Sequence, residues 1–363
     1  DRSSAASDVY KRQIIDYPED FLKKLSSKLP VFYNPLMKIN RDFTILILKV
    51  FYEIRGKKLD ILDCMAGTGV RSIRILLEIP EVVNKIVLTE ISEESIKSIY
   101  KNFKLNNLSL DNVEIKKKDC RIEMIENRYD YIDIDPFGSP IGFIEISVDS
   151  LRKNGLLGVT ATDVSALSGS KKSCLRKYFT KGIKTDFYLE FGIRNLIKYV
   201  ILEGLKKDFA MIPVFGYYYK HHYRVFFLKS TKAKDRNYLL ENIKTFYYCK
   251  NCHNKSLSEN ICNICENKMI ELGPIYSGKI YDDFFLNKIM QYYEYLDKEE
   301  KKIMERIYNC DSKMNVFYYF DLRSLSKFYK KNLPKIEDIL KMNNACRTHF
   351  TDYGIKCYNY PKI

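Results

Sequence analysis

Apolar and β-branched residues recur along the chain in short runs, and longer stretches with helical periodicity separate them. The short runs lie at 59–63, 85–90, 113–119, 129–135 and 155–163. Helical periodicity appears at 70–77, 92–106, 140–152 and 187–206. Strands that alternate with helices in this way predict βαβ units and a parallel sheet with helices on both faces.

Two further apolar runs, 210–219 and 223–229, are separated by only a few residues. A connection this short permits only an antiparallel hairpin. The predicted fold is therefore α/β, a doubly wound, Rossmann-like class I methyltransferase sheet of five parallel strands with a terminal antiparallel hairpin. A plain dinucleotide-binding fold would be expected to end on a sixth parallel strand instead.

The composition changes near residue 230, where a Lys- and Asn-rich linker leads into paired cysteines and Tyr-rich segments. This change predicts a catalytic domain at 14–230 and a C-terminal α+β domain at 231–363. The segment 1–13 lacks apolar periodicity and resembles translated adapter sequence from assembled reads. It is expected to be non-native, so that the chain's own sequence begins near Ile14.

The net charge of the chain indicates what kind of molecule it binds. The 363 residues carry a net charge of +15, and 46% of them are hydrophobic, as in a globular protein. A strongly basic surface favours a polyanion such as nucleic acid, although a Lys-rich proteome would give the same value. Four of the ten cysteines form two CxxC pairs. This usage favours a metal site in a reducing, cytoplasmic setting over a disulfide framework, and no apolar run is long enough to span a membrane.

A glycine turn follows the first strand, in the segment from Leu59 to Arg71. Gly67 and Gly69 allow a ligand to approach the backbone, but Ser72 stands where the dinucleotide fingerprint has its third glycine. This pattern favours S-adenosylmethionine, which has no pyrophosphate. Asp63 is expected to bind its ammonium group and Arg71 its carboxylate.

Acidic residues at the next strand ends complete the predicted adenosine pocket. Glu90 is placed to accept the ribose hydroxyls, and Asp119 the adenine amino group, with the Cys120 amide near the ring. Glycine turns and strand-end acids are individually common. The pocket prediction therefore depends on their order along successive strands.

The fourth strand ends in Asp135-Pro136-Phe137, an arrangement of acid, proline and aromatic ring found in enzymes that methylate exocyclic amines of bases. The lone pair of such an amine is delocalised into the ring, so acceptors for its N–H groups draw electron density back onto nitrogen. Phe137 offers a face on which the base can stack. The alternative is a plain strand-to-helix turn, in which the acid caps and the proline starts a helix.

The two cysteine pairs, Cys249/Cys252 and Cys262/Cys265, lie nine residues apart. Two such knuckles can supply four thiolates to a structural zinc ion, whereas His253 is adjacent but not required. Surface thiols or an iron–sulfur cluster are the alternatives. The spacing is typical of a zinc ribbon.

Several motifs together resemble the tRNA guanine-26 N2-dimethyltransferase family. They are the 31–42 segment, the turn from Asp63 to Arg71, Asp-Pro-Phe-Gly-Ser-Pro at 135–140, Val-Thr-Ala-Thr-Asp at 159–163, Gly-Pro-Ile-Tyr-Ser-Gly at 273–278 and Arg-Thr-His-Phe at 347–350. The resemblance covers about residue 30 to the end.

The resemblance implies roles for individual residues. Arg41 and Arg71 would contact the cofactor, and Glu90, Asp119 and Cys120 would complete its pocket. Asp135 would be the catalytic acid, and Phe32 with Phe137 would sandwich the guanine. Without the family, Phe32 would be read as core and Arg41 as a solvated helix start. The segment before Phe32 is short for the family, and Asp163 has no assigned role.

The expected function is transfer of one or two methyl groups from S-adenosylmethionine to N2 of guanine 26 in tRNA, whose body the C-terminal domain would bind. One alternative is methylation of adenine N6 in nucleic acid. Another is a catalytically inactive RNA-binding protein with a zinc ribbon. Tyrosine pairs such as those at 247–248 and 318–319 are expected in the core rather than as stacking platforms.

Overall fold

The computed structural model describes residues 31 and 33–363, together with two short strands at 6–7 and 14–15. The chain divides into two compact units, Asp1–Thr160 and Ala161–Ile363. The predicted domain boundary near residue 230 stays a prediction. The predicted adapter segment 1–13 and the position of Phe32 fall almost entirely outside the described residues.

The first unit alternates strands and helices. Its elements are β1 (Ala6–Ser7), β2 (Ile14–Ile15), α1 (Lys38–Arg55), β3 (Leu59–Cys64), α2 (Val70–Glu78), β4 (Val83–Glu90), α3 (Glu93–Leu105), β5 (Val113–Lys117), α4 (Cys120–Glu126), β6 (Tyr129–Ile134), α5 (Ile144–Ser150) and β7 (Leu151–Ala161). Single 3-10 turns precede α1 and β4, at Pro35–Met37 and Pro80–Val82.

The second unit begins with helices and a long hairpin, and continues with smaller elements. They are α6 (Val164–Leu167), α7 (Ser173–Tyr178), α8 (Tyr188–Leu205), β8 (Ala210–Tyr219), β9 (His222–Ser230), α9 (Ala233–Glu241), β10 (Ile243–Tyr248), β11 (Lys255–Ser256), β12 (Ile270–Tyr276), α10 (Asp283–Met290), α11 (Lys298–Arg306), β13 (Phe320–Asp321), α12 (Leu322–Tyr329), α13 (Ile336–Met342), β14 (Cys346–Arg347) and β15 (Gly354–Lys356). A 3-10 turn at Tyr293–Tyr295 and a π-helical turn at Ile307–Asp311 complete this unit.

The main sheet has seven strands in the order β5-β4-β3-β6-β7-β9-β8. The pairs from β5 to β7 are parallel, and β8 pairs with β9 antiparallel. The predicted succession of five parallel strands and a terminal hairpin is confirmed. The segment after 230 forms two three-stranded antiparallel sheets, β11-β10-β12 and β13-β15-β14, among helices.

The register of β3 against β6 decides the chemistry of the site. Asp63 on β3 is the direct partner of Asp133 on β6, and both side chains are buried. Central parallel strands are covered on both faces, so their residues are usually apolar. Two carboxylates facing each other at this position therefore require compensation from the chain.

Two predicted elements differ in their bounds. The predicted third strand ends at Lys117 rather than Asp119, because the Asp119 carboxylate accepts the Arg121 amide at 2.8 Å and caps α4. The predicted helix 140–152 is only seven residues long, Ile144–Ser150, and Gly142 before it has a φ of +91°. Within the described residues no helix has the length and apolar character needed to cross a membrane.

Candidate functional site

The turn between β3 and α2 has the backbone shape that its glycines predict. Gly67 and Gly69 both have positive φ, of 57° and 75°. The Gly67 amide donates to Glu90 Oε2 at 3.0 Å, and Glu90 Oε1 accepts the Ile91 amide at 2.9 Å. A side chain at position 69 would approach Ile99 to 3.2 Å. The carboxylate at the end of β4 therefore fixes the turn, and the residue is only half-buried.

Asp63 lies deep in this site with an unusual proton affinity. Burial is the main cause that raises its pKa to about 6, and the neighbouring Asp133 acts in the same direction. The Arg71 guanidinium and the Ser72 hydroxyl, which donates to Asp63 Oδ2 at 2.7 Å, hold the pKa down. Ser72 therefore has a function at the position where the dinucleotide fingerprint has glycine.

The guanidinium of Arg71 is the centre of an acidic cluster. Its Nη2 donates to Asp135, and its Nε lies 3.4 Å from an Asp133 oxygen and 3.9 Å from an Asp63 oxygen. Its Nη1 donates at 2.9 Å to both Asn40 Oδ1 and Thr44 Oγ1 on α1. One buried cation is thus shared among three carboxylates, here called the Arg71 cluster (Asp63, Arg71, Asp133 and Asp135).

Asp135 is the member of this cluster that reaches solvent. Its side chain is 22% exposed, whereas those of Asp63 and Asp133 are nearly inaccessible. Pro136 is buried and Phe137 is 52% exposed. The end of β6 therefore presents one carboxylate and one aromatic ring at the surface.

Arg41 is buried at the start of α1, so the interpretation of it as a solvated residue is wrong. Its Nη1 donates to the Asn34 carbonyl at 3.1 Å, and its guanidinium lies 5.3 Å from the centre of the Tyr33 ring. Asn34 in turn caps the preceding turn through the Leu36 amide. Burial and a backbone partner hold this cation in a fixed place.

Asp119, the residue predicted to bind the adenine amino group, already binds a neighbouring side chain. The Asp119 carboxylate binds the Arg121 side chain, with Nε–O distances of 3.0 and 3.1 Å, and this contact lowers its pKa. Cys120 is buried, and its thiol contacts that of Cys64. The carboxylate is ionised and fixed, as an acceptor for an amino group needs to be.

Asn40, Thr44, Ser72 and Asp133 belong to the site, although sequence reasoning did not select them. Asn40 also donates to Thr160 Oγ1 at 3.0 Å, so β7 helps to orient it. Asp133 had a usable signal, because an aspartate inside a buried parallel strand is uncharacteristic of such strands. Asn40 and Thr44 gave no signal beyond their place near the family motif.

Four cysteines of the second unit converge as predicted. Cys249 Sγ lies 3.4 Å from Cys265 Sγ, and Cys252 Sγ lies 3.3 Å from Cys262 Sγ. All four sulfur atoms lie within 4.8 Å of one another. Sulfurs around a tetrahedral zinc are separated by roughly 3.8 Å when Zn–S is about 2.3 Å. The cluster therefore has the size of a metal site.

The two knuckles share the same backbone geometry. In the first, the Cys249 amide donates to the Asn254 carbonyl at 2.9 Å and the His253 amide to the Cys249 carbonyl. In the second, the Cys262 amide donates to the Asn267 carbonyl, also at 2.9 Å. The His253 ring bonds to the Tyr248 hydroxyl at 2.7 Å and is not one of the four ligands.

Other expectations for the second unit have mixed outcomes. Cys310 and Cys346 form one disulfide, although cysteine usage favoured a metal site in a reducing setting over a disulfide framework. Of the two tyrosine pairs expected in the core, Tyr248 and Tyr319 are buried, whereas Tyr247 and Tyr318 are half-buried and pack against core clusters. Asp163 accepts the Tyr178 hydroxyl at 2.9 Å, which gives this residue a structural contact.

The comparisons with known proteins identify the family to which this chain belongs. The family model described as N2,N2-dimethylguanosine tRNA methyltransferase matches residues 12–360. The chain is 35% identical to the tRNA (guanine(26)-N(2)/guanine(27)-N(2))-dimethyltransferase of Aquifex aeolicus, covering 92% of this chain and 88% of the relative. It is 34% identical to the tRNA (guanine(26)-N(2))-dimethyltransferase of Methanobrevibacter smithii, over 94% of this chain and 91% of the relative.

A solved structure gives the same result for the fold. Trm1 from Pyrococcus horikoshii, determined in complex with S-adenosyl-L-methionine, superimposes with a TM-score of 0.82 at 27% identity. The match covers 97% of this chain and 96% of the other. The predicted class I methyltransferase sheet is confirmed.

Proposed function

Because this chain belongs to the N2,N2-dimethylguanosine tRNA methyltransferase family, it methylates N2 of guanine 26 in tRNA, and we propose that the Arg71 cluster is where it does so. The observation that supports this placement is the pairing of Arg71 with Asp135, the partly exposed acid at the end of β6. The family assignment removes the adenine N6 alternative and the inactive alternative.

The residues present fit S-adenosylmethionine, which supplies the methyl group when bound. The positive-φ glycines at 67 and 69 leave the backbone open to a ligand, and Asp63 provides a buried carboxylate for an ammonium group. Glu90 is available for the ribose hydroxyls. Asp119 and Cys120 would hold the adenine edge.

The two arginines divide their tasks. Arg71 already faces three carboxylates, so a fourth anion beside it would meet a negative environment. This leaves Arg41 as the partner for the methionyl carboxylate of the cofactor. Arg71 acts instead as a positioning residue, because its bond to Asp135 fixes the direction in which the catalytic carboxylate presents its oxygens.

Asp135 acts on the exocyclic amine. Its carboxylate accepts an N2–H bond of the guanine, which returns electron density to nitrogen and directs the lone pair toward the methyl carbon. The bound cofactor would supply the methyl group and keep the electron pair of its methyl C–S bond as the N2–C bond forms, and Asp135 or water would take the N2 proton. Phe137 provides a stacking face for a guanine rotated out of the tRNA.

We also propose that Cys249, Cys252, Cys262 and Cys265 bind one structural zinc ion. The four sulfur atoms are close enough for a tetrahedral site, and each knuckle turns on a left-handed residue, His253 or Glu266. A closed set of four thiolates has no open position for substrate. The zinc therefore stabilises the fold of the module and takes no part in methyl transfer.

The test is methyl transfer from labelled S-adenosylmethionine to unmodified tRNA transcripts carrying G26 or A26. The wild-type protein is expected to label only the G26 transcript, as N2-methylated guanosine. An A26 transcript with G27 shows whether the second position named for the Aquifex relative is accepted. Asp135→Asn is expected to lower the rate about 10²- to 10⁴-fold, the range for general acid–base groups, while cofactor affinity is retained.

Asp111→Asn, an exposed aspartate remote from these strand ends, is the matched control and is expected to keep full activity. Full activity of Asp135→Asn would exclude this residue as the acceptor. Label on the A26 transcript at adenine would contradict the substrate assignment itself.

A further inference from the structure

A segment of the second unit concentrates cations that have no acidic neighbours in sequence. Between Asp163 and Asp186 the chain contains no acid, and its six basic residues are Lys171, Lys172, Arg176, Lys177, Lys181 and Lys184. Residues 171–184 are here called the Phe179 segment. Among the described residues, Lys177 alone of the six has an ion pair, 3.5 Å from Asp163.

Several basic residues of the first unit, by contrast, have acidic partners. Lys116, Lys118 and Arg152 each contact two carboxylates within 3.1 Å. A run of cations without counter-charges repels itself, which costs stability in the free protein. A polyanionic partner would remove that cost.

An exposed aromatic ring stands in the middle of these cations. Phe179 is 72% exposed, and Leu175, one turn earlier on α7, is 60% exposed. The backbone of Phe179 is left-handed, with φ of +51°. This conformation is strained for a bulky side chain and persists only where surrounding contacts enforce it.

A buried polar network provides those contacts. Lys198 Nζ donates to the Tyr178 carbonyl and, at 2.7 Å, to Thr180 Oγ1, on either side of Phe179. Thr180 Oγ1 also bonds to Asn195 Oδ1 at 2.7 Å, and Asn195 Nδ2 donates to the Leu167 carbonyl. These polar side chains are all buried. The core of the unit therefore fixes the backbone that displays the ring.

The chain on the other side of the ring is also held. The Lys181 amide donates to the Gly273 carbonyl at 2.8 Å, and the Gly273 amide returns a bond of the same length. Desolvating a lysine to hold a solvent-exposed phenylalanine in a strained conformation has no benefit for stability alone. The arrangement is understandable if the ring binds something.

A cavity adjoins the ring. It has a volume of about 400 Å³, and its lining combines apolar residues, such as Phe179, Tyr199, Leu202 and Leu240, with the charged residues Lys198, Glu203, Lys206, Asp208 and Arg236. Ligand sites commonly combine an apolar lining with a few placed polar groups. The aromatic and aliphatic part of this lining can accept a planar heterocycle.

We propose that the Phe179 segment is a second RNA-contact site, where an unpaired tRNA nucleotide other than the target guanine stacks on Phe179. Lys171, Lys172 and Arg176 bind the flanking phosphates. The proposal rests on the proposed function, since it takes the tRNA as the partner. Aromatic stacking with adjacent cations is how proteins hold unpaired nucleotides without reading their sequence.

The test separates stacking from folding by the choice of variant. Phe179→Asn removes the ring but tolerates the left-handed backbone, so its melting temperature is expected to be no lower than that of the wild type. Its dissociation constant for G26 tRNA is expected to rise about 5- to 150-fold, the effect of losing one stacked base. The maximal rate and the affinity for S-adenosylmethionine are expected to be unchanged, and Phe179→Tyr is expected to restore binding.

The charges are tested with a triple variant, Lys171→Gln, Lys172→Gln and Arg176→Gln. The slope of log affinity against log salt is expected to become shallower by about 2 to 3, since each phosphate contact contributes roughly 0.7 to 0.9. The matched controls are the same substitutions at Lys97, Lys101 and Lys104 on α3, and Tyr295→Ala, which removes a ring that is 76% exposed elsewhere. Both controls are expected to bind tRNA as the wild type does.

Wild-type affinity in Phe179→Asn overturns the proposal, and so does a loss confined to the charge variant, because stacking is then absent. Equal losses in the control variants also overturn it, since they would show a uniform basic surface. None of these outcomes affects the proposed function, which fails only if the wild-type protein does not label G26.

Discussion

Two clusters of ionisable groups in this protein compensate their charges in different ways. The Arg71 cluster gathers three carboxylates around a cation that the chain itself supplies, at distances of 3.9 Å or less. The four cysteines gather groups whose thiolate forms would place four negative charges within 4.8 Å. The first cluster is complete within the polypeptide, whereas the second needs a metal to be stable as thiolates. They should therefore fail under different conditions.

Removing the metal is expected to have the largest effect. Structural zinc contributes on the order of 10 kcal/mol to the folding of small modules. Cys252→Ser and Cys262→Ser are each expected to abolish the zinc content and to unfold the module around β10–β12. Metal analysis, together with thermal unfolding with and without a chelator, measures both effects.

His253→Asn is the matched control, because it lies between the knuckles' ligands, keeps a residue that tolerates positive φ and is not one of the four ligands. It is expected to retain one zinc per chain. A Cys252→Ser protein with full zinc content, or no effect of chelation on unfolding, would show that the cysteine cluster is balanced in some other way.

Removing the cation of the other cluster is the next largest change. Arg71→Met leaves Asp63 and Asp133 facing each other without their shared partner, and breaking a buried ion pair from one side costs about 3–5 kcal/mol. Chemical denaturation measures this loss, which chelators should not affect. Arg71→Met combined with Asp133→Asn removes one of the repelling charges and is expected to recover part of the stability. No recovery would mean that the stability loss comes from lost packing rather than from charge.

The two clusters also differ in how far the sequence revealed them. All four cysteines lie within 17 residues, and two short motifs with metal-ligand spacing were enough to predict them. The Arg71 cluster and its α1 contacts extend from Asn40 to Asp135. Asp63 and Asp135 followed from strand-end positions. The pairing of Asp63 with Asp133, however, depends on the register of β3 against β6, which no local pattern encodes.

The role of Arg71 could not be predicted from local sequence patterns either. Its sequence position after a glycine turn suggested a cofactor contact, and only the three-dimensional arrangement shows Asp135, Asn40 and Thr44 around it. The fold was more predictable because alternation of apolar runs is a local property. The Cys310–Cys346 pair, 36 residues apart, again needed the tertiary structure.

The pH dependence of cofactor binding tests the charge state inside the Arg71 cluster. With a pKa of about 6, Asp63 is ionised at neutral pH and protonated in acid. The affinity for S-adenosylmethionine is therefore expected to fall about tenfold per unit below pH 6, because an ammonium group needs the carboxylate. Isothermal titration between pH 5 and 7.5 measures it, and Asp63→Asn should bind weakly with no acid limb. An affinity of the wild-type protein that stays constant down to pH 5 would mean that burial does not control this group.

Stability should move in the opposite direction. The pKa of Asp63 in the folded protein lies above its ordinary value of 3.8. The folded state therefore binds the proton more tightly than the unfolded state between pH 3.8 and 6. The contribution of Asp63 to stability improves as the pH falls from 6 toward 3.8, and it is lost as the pH rises through 6.

Ser72→Ala is the smallest change that distinguishes the two clusters. The Ser72 hydroxyl donates to Asp63 Oδ2 at 2.7 Å and lowers its pKa, so its removal should raise that pKa further. A hydrogen bond to a charged group is worth about 1.5 kcal/mol or more, so the acid limb of cofactor binding should shift upward by about one pH unit. Zinc content should be unchanged.

Ser147→Ala, a buried serine of α5 bonded to the Ile144 carbonyl, is the control and should leave the limb in place. An unshifted limb in Ser72→Ala would assign the control of Asp63 to Arg71 alone, and the serine would then be in the turn for its small size.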